Sequence, residues 1–416
     1  MSNPFETSLP VAEALPRLRE ALHNGTGAVL EAPPGAGKTT LVPLALLGED
    51  WLGGGKILVL EPRRLAARMA ARRMAELLGE DVGGTVGYRG RMDSRVGPAT
   101  RIEVITEGIL TRRLIDDPEL AGVGAVIFDE FHERNIHTDL GLALCLEARE
   151  ALREDLRILA MSATLDGAPL AGLLGGAPVI ASEGRAFPVE TRHLDRPEPR
   201  ALDRAMAVAI RRALDEEQGS ILAFLPGEGE IRRVQALLGE ADLGPGILIA
   251  PLYGALSARD QDAAVRPAPQ SVRKVVLATD IAETSLTIEG IRIVVDGGYR
   301  RKPRFDAQSG MTRLETRRVS RAGADQRRGR AGRLEPGICY RLWPEAETAA
   351  LARFETPEIM EADLASLALD LACWGVTDPT DLRWPDLPPK AQYDQARKLL
   401  AELGAIDRAG RVTAHG

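Results

Sequence analysis

The stretch GAVLEAPPGAGKTTLVPLALL, residues 27–47, reads as an apolar strand, a glycine-rich turn and an apolar helix in direct succession. Its middle nearly matches the phosphate-loop pattern G-x-x-x-x-G-K-[ST], with Ala32 in the first glycine position. A strand that turns sharply into a helix aims several backbone N–H groups and the positive end of the helix dipole at one spot, which suits phosphate oxygens. The backbone from Gly35 through Ala36 and Gly37 to Lys38, flanked by Pro34 and Thr40, is expected to cradle a β-phosphate. Lys38 is expected to bridge it to a γ-phosphate, and the Thr39 hydroxyl to bind Mg2+. The chain carries only six lysines among its 53 basic residues, so a lysine at position 38 points to a requirement for a slim ammonium rather than to habit.

Outward from this stretch, short apolar runs alternate with helical patterns. Residues 56–60, 101–105, 125–128 and 157–161 read as further buried strands, and 65–78 and 139–152 as helices between them. Such alternation predicts a parallel sheet covered by helices on both faces. A second strand set follows at 220–225, 247–251, 274–278 and 291–295, after a Pro-rich, charged segment at 185–200 that reads as a linker. The expected fold is therefore α/β, with two tandem parallel-sheet domains at 1–184 and 185–345. Beyond them, 356–374 and 391–403 read as helices and AIDRAGRVT at 405–413 as a hairpin, so 346–416 is expected to form a winged-helix-like module. The sequence stops at VTAHG as that hairpin closes, and a further C-terminal region is expected.

A chain of 416 residues with 44% hydrophobic residues is a multi-domain globular protein rather than a disordered one. It has neither a long apolar run nor a signal-like N-terminus, so a soluble, cytoplasmic protein without membrane contact is expected. Three scattered cysteines, Cys145, Cys339 and Cys373, suit buried thiols better than a disulfide framework or a zinc site. The net charge of −7 hides a strong asymmetry, because residues 300–333 contain twelve Lys or Arg against three acids. A local excess of this kind points to phosphate-bearing partners. Smaller groups, such as Arg68, Arg72 and Arg73, are equally well explained as a solvated helix face.

Two other segments carry chemistry. VIFDE at 126–130 is an apolar strand ending in two carboxylates, which places them at the carboxyl edge of a parallel sheet, where ligands of such sheets bind. Asp129 is expected to hold Mg2+ and Glu130 to bind there too while polarising an attacking water. His132 reads as a hydrogen-bonding relay or as a lone metal ligand. QRRGRAGR at 326–333 gathers four arginines, whose planar guanidinium groups bind two phosphate oxygens at once.

With the phosphate loop, Asp129-Glu130-Phe131-His132 and QRRGRAGR in place, the chain resembles the DEAH/RHA group of superfamily 2 helicases, and DEFHER at 129–134 resembles its bacterial HrpB-type branch. EPRR at 61–64, TEGILTRRL at 106–114, SAT at 162–164, FLPGEGE at 224–230 and ATDIAETSLTI at 278–288 match in order. The resemblance implies two RecA-like domains that share ATP and Mg2+. Gln326, Arg330 and Arg333 would come from the second domain to the γ-phosphate, the two arginines as fingers, with Arg327 and Arg328 instead bracing the segment. Arg73 would stack on the base; Val265 stands where relatives carry an aromatic ring, and Asp280 where they carry Asn. Single-stranded nucleic acid, with RNA implied by the resemblance, would meet Arg63, Arg64, Thr106, Gly108, Thr284 and Thr287. His132, Ser162 and Thr164 would couple hydrolysis to movement, although Ser162 and Thr164 also fit a plain strand-end cap. RFDAQSGMTR at 304–313 resembles the strand-separating hairpin of the family or is an ordinary connection. The implied activity is a 3′→5′ RNA helicase or translocase. An RNA-stimulated remodelling ATPase and an ATP-gated clamp are the alternatives, and a protein activator is compatible with any of them.

Overall fold

The computed structural model describes residues 9–90, 93–163, 167–184, 187–241, 243–269, 271–283, 288–306 and 309–416. Thr164, Thr284 and Thr287, named above, lie outside the described residues. The chain divides into two compact units.

The first unit is built on a sheet of β1 (Gly27–Glu31), β2 (Lys56–Glu61), β3 (Val86–Arg89), β4 (Ser94–Arg95), β5 (Ile102–Thr106), β6 (Val123–Phe128), β7 (Arg157–Ser162) and β8 (Val179–Ala181). Their spatial order is β4-β3-β5-β2-β6-β7-β1-β8, and only the β3–β4 pairing is antiparallel. Both faces of the central strands are buried, which explains why they read as continuous apolar runs rather than alternating ones. Ala28, Leu30, Ile57 and Val59 face a core with Leu18, Leu41, Ala71 and Met74. The intervening Val29, Leu58 and Leu60 face a second core with Leu110, Leu140 and Leu144.

That second core continues into the tail. Leu367, Leu371, Trp384, Tyr393, Leu400 and Ile406 belong to the same buried cluster as Leu140 and Leu144. The tail contains helices Ala365–Trp374 and Lys390–Glu402, closed by an antiparallel bridge between Ile406 and Val412. Residues 356–416 thus belong to the first unit, as does the segment 303–313, where the Phe305 N–H donates to the Glu361 carbonyl at 2.9 Å.

The second unit holds β9 (Val189–His193), β10 (Ser220–Phe224), β11 (Ile247–Leu252), β12 (Arg273–Ala278), β13 (Ile291–Asp296) and β16 (Gly337–Arg341); between the last two run the hairpin strands β14 (Tyr299–Asp306) and β15 (Met311–Arg318), of which 303–313 belongs to the first unit. The sheet order is β11-β12-β10-β13-β16-β9, parallel throughout. β9 falls inside the segment read as a linker. Its sequence VETRH is polar because β9 is an edge strand with little buried surface, so the apolar signal of a strand is missing there.

Candidate functional site

At the carboxyl edge of the first sheet, β1 passes through the glycine-rich turn into helix Lys38–Leu46. Gly37 has φ +91°, a left-handed conformation open to glycine, and a Cβ there would come within 3.0 Å of the Leu9 side chain. Lys38 is buried, and its Nζ donates to the Ala32 carbonyl at 3.1 Å and lies 3.8 Å from Glu130 Oε2. The Thr39 hydroxyl donates to Asp129 Oδ2. The Glu130 N–H donates to Asp129 Oδ1 at 2.8 Å. His132 Nδ1 accepts from the Ala163 N–H at 3.2 Å and lies 3.6 Å from Glu130 Oε2. His132 thereby joins the DEFH segment to the Ser162–Ala163 strand end, whose Ser162 carbonyl accepts from the Ala32 N–H at 3.0 Å. Three strand ends, those of β1, β6 and β7, are laced together in this way around one lysine.

The strand register adds a group that pattern reading overlooked. Leu60 pairs with Phe128, so Glu61 at the end of β2 sits beside Asp129. Glu61 is fully buried, and neither carboxylate oxygen has a hydrogen-bond partner. Burial first, then the charges of Asp129 and Glu130, push its carboxyl well above the usual range. Asp129 is raised by the same causes, burial and then Glu130, against Lys38 and Thr39. The warning for Glu61 was present in the sequence, because β2 ends in an acid and β6 is followed at once by one. Three buried carboxylates facing one ammonium leave negative charge that a divalent cation would neutralise. Carboxylate and hydroxyl oxygens are the hard donors that Mg2+ prefers. The residues present therefore fit the ion, with Thr39 and Asp129 as the groups to hold it.

Arg63 reaches Glu133 at 3.2 Å, Arg64 is exposed at the start of helix Arg64–Leu78, and Gly108 is exposed in the first turn of helix Glu107–Asp116, whose N-cap is Thr106. Arg73 is exposed and pairs with Glu76 at 3.4 Å, within its own helix.

In the second unit the arginine segment is helix Arg321–Gly329 and the turn after it. Arg327 is fully buried, 3.0 Å from Glu283 and 2.9 Å from Asp296. Arg330 is buried too, and its guanidinium donates to the Glu283 carbonyl, through Nε at 2.9 Å. Glu283 therefore holds both arginines, one by its side chain and one by its backbone, a role that its place in ATDIAETSLTI did not disclose. Arg328 is half exposed beside Asp325, at 3.8 Å, and Gln326 and Arg333 are half-buried. Asp280 pairs with Arg300 at 3.0 Å, so a carboxylate at this position is used inside the unit, and Val265 is buried.

The DEAD/DEAH box helicase family matches residues 13–171, and the helicase conserved C-terminal domain matches 202–335. Escherichia coli ATP-dependent RNA helicase HrpB is 53% identical over 410 residues, 99% of this chain and 50% of that protein. A crystal structure titled as the E. coli DEAH/RHA helicase HrpB superposes with a TM-score of 0.92 at 54% identity, over 98% of this chain and 52% of that one. The chain belongs to the DEAH/RHA helicase family. Mouse probable ATP-dependent RNA helicase DHX34 is 35% identical over 421 residues, 98% of this chain and 36% of that protein. The chain thus spans about half the length, or less, of these relatives. Its two parallel sheets are RecA-like, as in the HrpB structure. Among the described residues of this DEAH/RHA chain, no helix is long and apolar enough to cross a membrane.

Proposed function

We propose that this chain is an ATP-dependent RNA helicase or translocase that moves 3′→5′ along a single strand. The observation that carries the reading is the convergence of Lys38, Thr39, Asp129 and Glu130 on one sheet edge. Lys38 and the loop amides bind and orient the β- and γ-phosphates, and Mg2+ held by Thr39 and Asp129 would neutralise charge on the phosphates. Glu130 polarises the attacking water. Gln326, Arg330 and Arg333 act on the γ-phosphate, with Arg330 leaving the Glu283 carbonyl to do so. His132 and Ser162 pass the state of that phosphate to the rest of the first unit. Arg63, Arg64, Thr106 and Gly108 hold the strand by its backbone, without reading its sequence. The segment 356–416 is a winged-helix-like module. The named function of the HrpB and DHX34 relatives supports RNA as the substrate.

The test is ATP turnover across RNA and DNA homopolymers at several salt concentrations, followed by unwinding of a 3′-tailed duplex. Poly-A RNA is expected to stimulate turnover, and the stimulation is expected to fade as salt rises. Lys38→Ala is expected to lower turnover by at least about a hundredfold. No stimulation at low salt would remove nucleic acid from the account. Stimulated turnover without unwinding would leave a remodelling ATPase.

A further inference from the structure

The loop that carries Glu130 is bent at two places, and the second is tied to the tail. Glu130 has φ +47° and Arg134 has φ +50°, with a single 3-10 turn, Phe131–Glu133, between them. Neither is a glycine, so both left-handed conformations are strained and persist only because something holds them. The turn itself is stiff. The Glu133 N–H donates to the Glu130 carbonyl at 2.9 Å and the Arg134 N–H to the Phe131 carbonyl at 3.1 Å, while the Phe131 ring is buried edge-on to Phe128.

At Arg134 the holding groups are plain. Its guanidinium grips Asp139 in a two-point pair, Nε to Oδ1 at 3.2 Å and Nη2 to Oδ2 at 2.9 Å, and Nη2 also reaches Asp386 Oδ2 at 2.6 Å. The Arg134 carbonyl accepts from the Glu358 N–H at 3.0 Å, and the Glu358 carboxylate accepts from the Ile136 N–H at 3.0 Å. Asp139 is fully buried in helix Ile136–Ala151, so Arg134 joins a rigid element of the first sheet's cover to two points on the tail. Planar two-point pairing fixes orientation as well as distance, and a lysine cannot reproduce it.

We propose that Arg134 is a positioning residue for Glu130, and that the tail, through Glu358 and Asp386, is part of the device that sets the Glu130 carboxylate. The proposal rests on the reading of Glu130 as the group that polarises the attacking water. If the pin is loosened, Arg134 relaxes toward an ordinary backbone conformation, the stiff turn rotates with it, and Glu130 loses its alignment. Phosphate binding through Lys38 and the loop amides depends on β1 and is untouched. The tail thereby becomes a determinant of turnover, although it lies far from the phosphate loop in sequence.

The experiment uses the 416-residue chain with Arg134→Lys, Asp386→Asn, the double variant and Glu130→Gln. ATP kinetics, nucleotide affinity, melting and amide exchange at Glu133 and Arg134 are measured on each. Asp386 is half exposed and Asp139 remains in place, so Asp386→Asn keeps the fold. Arg134→Lys is expected to lower kcat about 10- to 100-fold with KM and affinity within about twofold, as misplacement of a reacting group does. Asp386→Asn is expected to lower kcat about threefold, and the double variant to match Arg134→Lys, because both changes remove one pin. Exchange at the two amides should rise in all three. Unchanged exchange, or a kcat loss matched by equal losses in affinity and melting, overturns the tie. Full turnover in Glu130→Gln overturns the role of Glu130 itself, whatever the exchange data show, and the two failures are told apart in that way.

Discussion

The two units treat buried charge in opposite ways. At the carboxyl edge of the first sheet, Glu61, Asp129 and Glu130 face a single ammonium, and Glu61 has no hydrogen-bond partner. In the second unit the buried arginines are matched: Arg327 by Glu283 and Asp296, and Arg300 by Asp280, Glu283 and Glu355. A surplus of one sign cannot be explained by folding, since burying unbalanced charge only costs stability. On the function proposed above, it fits a ligand that arrives later, an Mg2+–triphosphate. A balanced network explains itself as architecture. The same density of ionisable groups thus means a ligand site in one unit and a brace in the other.

The comparison breaks first at two arginines six residues apart. Arg333→Ala is expected to lower the maximal ATPase rate about 10³-fold or more, with little change in nucleotide affinity or melting. Arg327→Met is expected to do the reverse, costing about 3–5 kcal/mol in denaturant titration by removing the buried guanidinium that Glu283 and Asp296 share. If Arg333→Ala destabilised and Arg327→Met did not, the division between acting and bracing arginines would be lost.

A smaller effect sharpens the first-unit side. Glu61→Gln is expected to raise stability by about 1 kcal/mol in EDTA, because it removes a buried acid without a partner. The gain should vanish when Mg2+ and a non-hydrolysable nucleotide are added. An unchanged midpoint in both conditions would mean that the surplus charge is neutralised within the protein.

The smallest effect concerns pH and the second unit. Burial would raise the Glu355 carboxyl, but Arg300 and Lys302, helped by the Ser320 N–H, outweigh it and hold it at about 2, against an ordinary 4.5. A folded-state value below the unfolded one means that this stabilisation is complete above about pH 4.5. It is lost as pH falls from there toward 2. Glu355→Gln should flatten the acid limb of the stability curve in that window and leave neutral pH behaviour comparatively level; an identical limb would show that the pair is not formed in solution.

The phosphate loop was legible because strand, turn and helix are covalently consecutive, so one short pattern contains all the geometry. The pair Asp129-Glu130 was legible for the same reason, as acids ending an apolar strand. Glu61 and Glu283 were not, although both stood inside segments already singled out. Their importance comes from neighbours on other strands and helices, and a local pattern is silent about neighbours. β9 escaped because an edge strand needs no apolar run. The tail was readable as helices and a hairpin, yet its packing with Leu140 and Leu144 was not, since an apolar helix face does not say which surface will cover it.

What this chain determines by itself is chemistry of short range: which residues can grip phosphate, which carboxylates end a strand, where two sheets begin. What only the folded molecule decides is company. The Leu60–Phe128 register puts a third acid beside Asp129, and the packing of 356–416 brings Glu358 and Asp386 to Arg134. Covalent connection enforces the first kind of proximity. The second is chosen by the burial of apolar surface summed over the whole core, and no single segment contains that sum.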